Sequence, residues 1–211
     1  MNNNEITKLV ENLFPDQEVM WIYFGGSIAY GTKEDKSDTD IIAVLSGLKG
    51  VIHADIGNLD IFAYGYDDFN RRNEQDKTIA LYYRVNSDDV ITAKDHLIYR
   101  NPNYDALYQA FIAENFEKIL PQFLDGFIEY YDLLVNSDKV ILKRLYHIIR
   151  IRGILDRFKE TGKYEQKLSA SWLKKAKAFK NGWEADTEGK LLEEVKTYLE
   201  QIKEIRKELA Q

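Results

Sequence analysis

The chain has 211 residues, 45% of them hydrophobic and 13% aromatic, which is enough apolar material for one large core or two small ones and too much for a disordered chain. Zero cysteines exclude disulfides, thiolate nucleophiles and sulfur-built zinc sites, and the three histidines (His53, His96 and His147) are too scattered to suggest a metal cluster, so any metal is expected to be held by oxygen. The formal charge of −6 gives no global field for a polyanion, no long apolar run is present, and Met1 to Glu5 lacks the segments of a secretion signal, so a cytoplasmic protein with no membrane partner is expected.

Up to about residue 100, short apolar runs are separated by Gly, Asn and Asp. Val19 to Phe24, Ile41 to Leu45 and Leu59 to Tyr64 are each short enough for a buried strand. Asn101-Pro102 reads as a break, and beyond it apolar residues recur at helical spacing. Leu107 and Phe111 predict one helix, and Phe123 to Leu134 a second with Pro121 at its start, where the missing N–H costs nothing. Ile141, Leu145, Ile148 and Leu155 predict a third, stopped at Thr161-Gly162, and Leu192, Val195, Leu199, Ile202 and Leu209 mark the last. The expected organisation is an α+β domain over residues 1–103 and an all-helical domain over 104–211. Within the helical part, Lys139, Lys143, Arg144, Arg150, Arg152 and Arg157 cluster in one segment, followed by Lys174, Lys175 and Lys177; this is either a local patch for RNA or a solvated helix face.

The chemically informative stretch is Tyr23-Phe24-Gly25-Gly26-Ser27-Ile28-Ala29-Tyr30-Gly31-Thr32, followed by Ser37-Asp38-Thr39-Asp40. A strand that ends in two glycines and turns into a short helix aims backbone N–H groups and the Ser27 hydroxyl at one point, and the absent side chains let a phosphate come close. Asp38 and Asp40 are two apart where a strand begins, so the period of two puts both carboxylates on one face. Two such carboxylates repel each other unless a cation neutralises them, and hard oxygen ligands suit Mg²⁺, with Mn²⁺ as a substitute. Asp60 interrupts the apolar run Leu59 to Tyr64, where a charge needs a partner; beside the Asp38/Asp40 strand it would complete a triad able to hold two metal ions. Each piece alone recurs by chance among 35 acidic residues, and their order and spacing carry the reading.

At these residues the chain resembles the DNA polymerase β superfamily of nucleotidyltransferases, whose pattern is Gly-Ser after a first strand, Asp-x-Asp some ten residues on, and a further acid on a following strand. The likeness spans about residues 19 to 65. It implies a small mixed β-sheet flanked by helices, two Mg²⁺ ions, an NTP donor such as ATP and pyrophosphate release. Gly26 and Ser27 are implied to bind phosphate, Asp38 and Asp40 to bind metal, and Asp60 to complete the catalytic set. The run Gly26 to Gly31, with Ser37 to Asp40 and the helix Lys143 to Arg150, is also similar to stand-alone nucleotidyltransferases of bacteria and phages. Ile42 and Ala43 stand where many of those carry Arg or Gly, so an acceptor contact there is not implied.

Lys143, His147 and Arg150 fall at i, i+4 and i+7, so one helix face presents all three. They are expected to bind the nucleotide's phosphates; the competing reading is a solvated basic face with His147 packed or capping. Three functions follow. The first is NMP transfer from an NTP to an acceptor hydroxyl on an RNA end, a protein or a small molecule. The second is a catalytically inactive nucleotide-sensing or partner-binding module of antitoxin type, and the third an antibiotic-modifying nucleotidyltransferase.

Overall fold

A computed structural model describes residues 1–35, 37–73, 89–113, 116–137, 142–183 and 189–210. The chain forms two compact units, Met1–Asn115 and Phe116–Gln211.

The first unit opens with helix α1 (Asn3–Leu13), which begins because Asn2 and Glu5 form a reciprocal capping box: the Glu5 N–H donates to Asn2 Oδ1 at 3.1 Å, and the Asn2 N–H donates to Glu5 Oε2 at 2.7 Å. Asn-x-x-Glu is a helix start signal legible in the sequence itself. After α1 come β1 (Glu18–Phe24), the single turn α2 (Gly26–Ala29), β2 (Thr39–Ser46), β3 (Val51–Ile56), β4 (Leu59–Gly65) and α3 (Tyr66–Asn73). Beyond them lie α4 (Asp89–Asp95), β5 (Leu97–Arg100) and α5 (Asp105–Ile112).

The five strands lie in the order β3-β4-β2-β1-β5. β2 and β4 run parallel, and the other neighbouring pairs are antiparallel, so the sheet is mixed. One face carries Ile41, Ala43 and Leu45 beside Leu59, Ile61 and Ala63, packed with Ile6 and Val10 of α1. A bulge between Val19 and Trp21 lets Val19 and Ile22, three apart, join that same face. The opposite face is aromatic: Trp21 stacks on Phe111 at 5.9 Å and meets Tyr66, Phe69 and Tyr108 edge-on. Both faces are therefore covered, which is why β1, β2 and β4 read as continuous apolar runs.

The second unit is helical throughout its described elements: α6 (Phe116–Val135), α7 (Leu142–Thr161), α8 (Ala170–Gly182) and α9 (Lys190–Glu208). Gly162 ends α7 at φ +68°, its N–H donating to the Phe158 carbonyl at 2.8 Å, as the Thr161-Gly162 stop predicts. Pro121 corrects an expectation: it lies inside α6 rather than at its start. The apolar face of Leu120, Phe123, Leu124 and Phe127 is buried, and that burial carries the helix through the missing N–H. α8 was not anticipated from the sequence. It pins to α7 through Trp172, whose Nε1–H donates to Asp156 Oδ2 at 2.8 Å, and α9 joins α6 through a bidentate Arg206–Asp125 pair.

The architecture is α+β, a five-stranded mixed sheet with helices followed by a helical region. No helix among the described residues is long and apolar enough to cross a membrane.

Candidate active site

Register decides which acids meet. In the parallel pair β2/β4, Asp40 is the direct partner of Asp60, with Ile42 opposite Phe62 and Val44 opposite Tyr64, so both carboxylates leave the same face of the sheet at the same level. Asp38 precedes β2 by one residue and is exposed. All three lie where β2 and β4 begin, and β1 ends alongside, Phe24 pairing with Ile41.

The glycine turn is fastened to this acidic edge. The Gly25 N–H donates to the Asp40 carbonyl at 2.9 Å, and Gly26 then adopts φ +48°, the left-handed region that favours glycine. Its absent side chain is needed twice over, because a Cβ on Gly26 would sit 1.9 Å from Asp40 Oδ2. The Ser27 backbone N–H donates to the Asp40 carboxylate, while the Ser27 hydroxyl is buried with no hydrogen-bond partner among the described residues. Below the turn, the Thr32 N–H donates to the Ser27 carbonyl at 2.9 Å, and Lys33 Nζ donates to Thr39 Oγ1 at 2.6 Å, tying the connecting loop to β2.

Burial raises the Asp40 carboxyl above its ordinary value, and the charges of Asp60 and Asp38 push in the same direction. The Ser27 N–H pulls the other way without reversing the shift. The crowded carboxylates thus repel one another, an arrangement whose natural complement is a cation.

Two features were not foreseen. His53 belongs to β3, whose antiparallel register on β4 sets it opposite Phe62 and sets Asp55 opposite Asp60. Its ring stacks flat on Phe62, 4.5 Å between centroids, and His53 Nε2 donates to Asp60 Oδ1 and lies 3.3 Å from Asp55 Oδ1. That hydrogen bond raises the His53 imidazole above its ordinary value. The three histidines, scattered in sequence, are not all remote from the acids, because strand pairing brings the His53 ring nitrogen to Asp60. The second feature is buried Thr32, whose Oγ1 has no hydrogen-bond partner among the described residues.

The predicted basic face on α7 is largely consumed. Arg150 is 0% exposed, Arg152 pairs with Asp156 and reaches Gln201, and Arg157 pairs with Glu165. His147 lies against the Tyr146 ring, and burial, with Arg150 and Lys180 nearby, holds its imidazole well below the ordinary value. His147 therefore carries no charge at neutral pH. The side chain of Lys143, together with Lys139, lies outside what the structure describes.

The fold and this edge define an α+β domain with a glycine turn closed over carboxylates from two parallel strands. No known protein-family profile matches the chain, and neither does any curated protein sequence. Among solved structures, it is similar to a nucleotidyltransferase-like protein from Exiguobacterium sibiricum 255-15, at 13% identity over 96% of this chain and 73% of that one, with a TM-score of 0.31.

Proposed function

We propose that the protein is a divalent-metal-dependent nucleotidyltransferase, moving an NMP from an NTP to an acceptor hydroxyl. The observation that carries this reading is the register pair Asp40/Asp60, with Asp38 beside it, beneath a glycine turn that has no room for a side chain at Gly26 and holds a buried serine hydroxyl with no hydrogen-bond partner among the described residues.

The residues suit a hard divalent cation. Three carboxylates bring only oxygen to that side of the edge, and a cation would relieve both the burial of the Asp40 charge, which chiefly raises its carboxyl, and the repulsion from Asp60 and Asp38 that adds to it. Asp38, Asp40 and Asp60 would hold Mg²⁺ or Mn²⁺, which when bound neutralises phosphate charge and makes an attacking hydroxyl more acidic. Gly26 lets the phosphates approach the backbone, and the Ser27 hydroxyl donates to a phosphate oxygen, satisfying a group that has no partner among the described residues. Asp60 takes the proton of the acceptor hydroxyl. The acceptor oxygen bonds to the α-phosphorus, the bond to the bridging oxygen breaks, and pyrophosphate leaves with that electron pair.

Incubating the chain with each labelled NTP, Mg²⁺ or Mn²⁺, and RNA, protein and small-molecule acceptors tests the reading. Label is expected in one acceptor class with release of pyrophosphate, and none with Asp40→Asn. Nucleotide binding without transfer to any acceptor would favour the sensing module instead, and absence of both would end the nucleotide reading.

A further inference from the structure

We propose that His53, Asp55 and Asp60 form a binding site for a divalent transition-metal ion of the Zn²⁺, Co²⁺ or Mn²⁺ kind. One ligand atom from each of the three lies within 4.8 Å of the other two. The placement is a product of two strand registers. Asp55 and Asp60 are cross-strand partners on β3 and β4, His53 is the partner of Phe62, and all three share the sheet face that carries Asp40. A row of acids thus crosses three adjacent strands, Asp55, Asp60, Asp40, with the imidazole on the side away from Asp40.

The donor set selects the class of ion. One imidazole nitrogen and two carboxylate oxygens suit zinc, cobalt or manganese, whereas magnesium and calcium prefer oxygen alone. The geometry is near what such an ion needs. Bonds of about 2.1 Å in tetrahedral arrangement place ligand atoms roughly 3.4 Å apart, and His53 Nε2 already stands 3.3 Å from Asp55 Oδ1. The His53–Asp60 pair sits at hydrogen-bonding distance and must open to admit the ion in place of the shared proton. The three side chains are 48%, 77% and 27% exposed, so these atoms can rotate and an ion can reach them. Phe62 meanwhile fixes the plane of the ring. Binding through Asp60 Oδ1 makes no demand on Asp60 Oδ2. With no cysteine and three histidines in the chain, few other soft-donor sites compete.

The site stands on these three side chains and does not depend on nucleotidyl transfer. Calorimetric titration of Zn²⁺ and, separately, Mg²⁺ into the full chain at neutral pH tests it. One Zn²⁺ is expected to bind at least about thirtyfold tighter than Mg²⁺. His53→Ala and Asp55→Asn are each expected to weaken Zn²⁺ at least about tenfold. Asp38→Asn, which disables the proposed transfer but keeps all three ligands, is expected to bind Zn²⁺ within about threefold of the wild type. Unchanged Zn²⁺ affinity in His53→Ala and Asp55→Asn would overturn the assignment. A second reading needs no substitution: the ¹⁵N resonance of His53 Nε2 in the wild-type chain must shift on adding Zn²⁺, and a bound ion that leaves it unmoved also overturns the site. Intact Zn²⁺ binding in a chain that transfers no nucleotide would sink the transfer reading and leave this one standing.

Discussion

Replacing Gly26 by alanine separates two costs that the structure assigns to one position. At φ +48° any L-residue is strained, by roughly 1–2 kcal/mol. The added Cβ also lies 1.9 Å from Asp40 Oδ2, against an ordinary contact of 3.4–4 Å. The carboxylate must therefore retreat by about 1.5 Å, and a displacement near 1 Å at reacting groups costs on the order of a hundredfold in rate. Gly31 supplies the control, because it has φ +67° and nothing within 4 Å of its would-be Cβ. Gly31→Ala thus carries the strain without the collision. Gly31→Ala is expected to lose a few degrees of Tm by calorimetry, and Gly26→Ala at least as much because the collision adds to the strain. NTP-dependent transfer is expected to fall at least about a hundredfold in Gly26→Ala and less than about threefold in Gly31→Ala. Equal activities in the two would refute the claim that position 26 must lack a side chain to leave Asp40 in place.

Asp40→Asn should abolish transfer yet raise Tm in metal-free buffer at neutral pH. The raised carboxyl means that the unfolded chain gives up this proton first as pH rises, so the ionised group costs stability above its folded pKa; a lower Tm in the variant would contradict the sign. Ser27→Ala should leave stability unchanged or higher, since its buried hydroxyl has no partner among the described residues, while KM for the NTP rises by about 1–3 kcal/mol of lost binding, roughly five- to 150-fold. Unaltered KM and kcat would remove the hydroxyl from phosphate binding. For His147, held neutral by burial, the unfolded chain binds the extra proton below about pH 6.5, so stability drops as pH falls from there, by at most about 1.4 kcal/mol per pH unit. Chemical denaturation between pH 5 and 7 should show a shallower slope in His147→Asn. His53, whose raised imidazole works in the opposite sense, is common to both proteins, and equal slopes would place the imidazole in water.

Some of this protein was legible before folding because it depends on neighbours along the chain. The strands ending at Phe24, beginning near Ile41 and running from Leu59, the glycines after β1 and the stop at Gly162 are local signals, set by apolar runs and by residues with special dihedrals. The capping box at Asn2 and Glu5 was legible in the same way and was passed over. Pairing is different, because no local propensity says which strand lies beside which, or in what register. That Asp40 faces Asp60, twenty residues on, is decided by a parallel pair whose apolar partners fill both faces of the sheet. A slip of one residue would have sent one of the two carboxylates into the α1 core. β3 escaped notice because an edge strand alternating Ile52, His53, Ala54 and Asp55 has no buried run to betray it, so the histidine at Asp60 was invisible too. On α7 the failure was of another kind. Leu145, Ile148, Ile149, Ile151, Ile154 and Leu155 are all buried, which leaves the helix with no single apolar stripe, and Arg150 is buried with them where spacing alone had put it on a cationic face. The sequence by itself marked the acids and the glycine turn as candidates for chemistry; tertiary packing decided which residues meet there, His53 among them, since it is burial on two sides that selects a register.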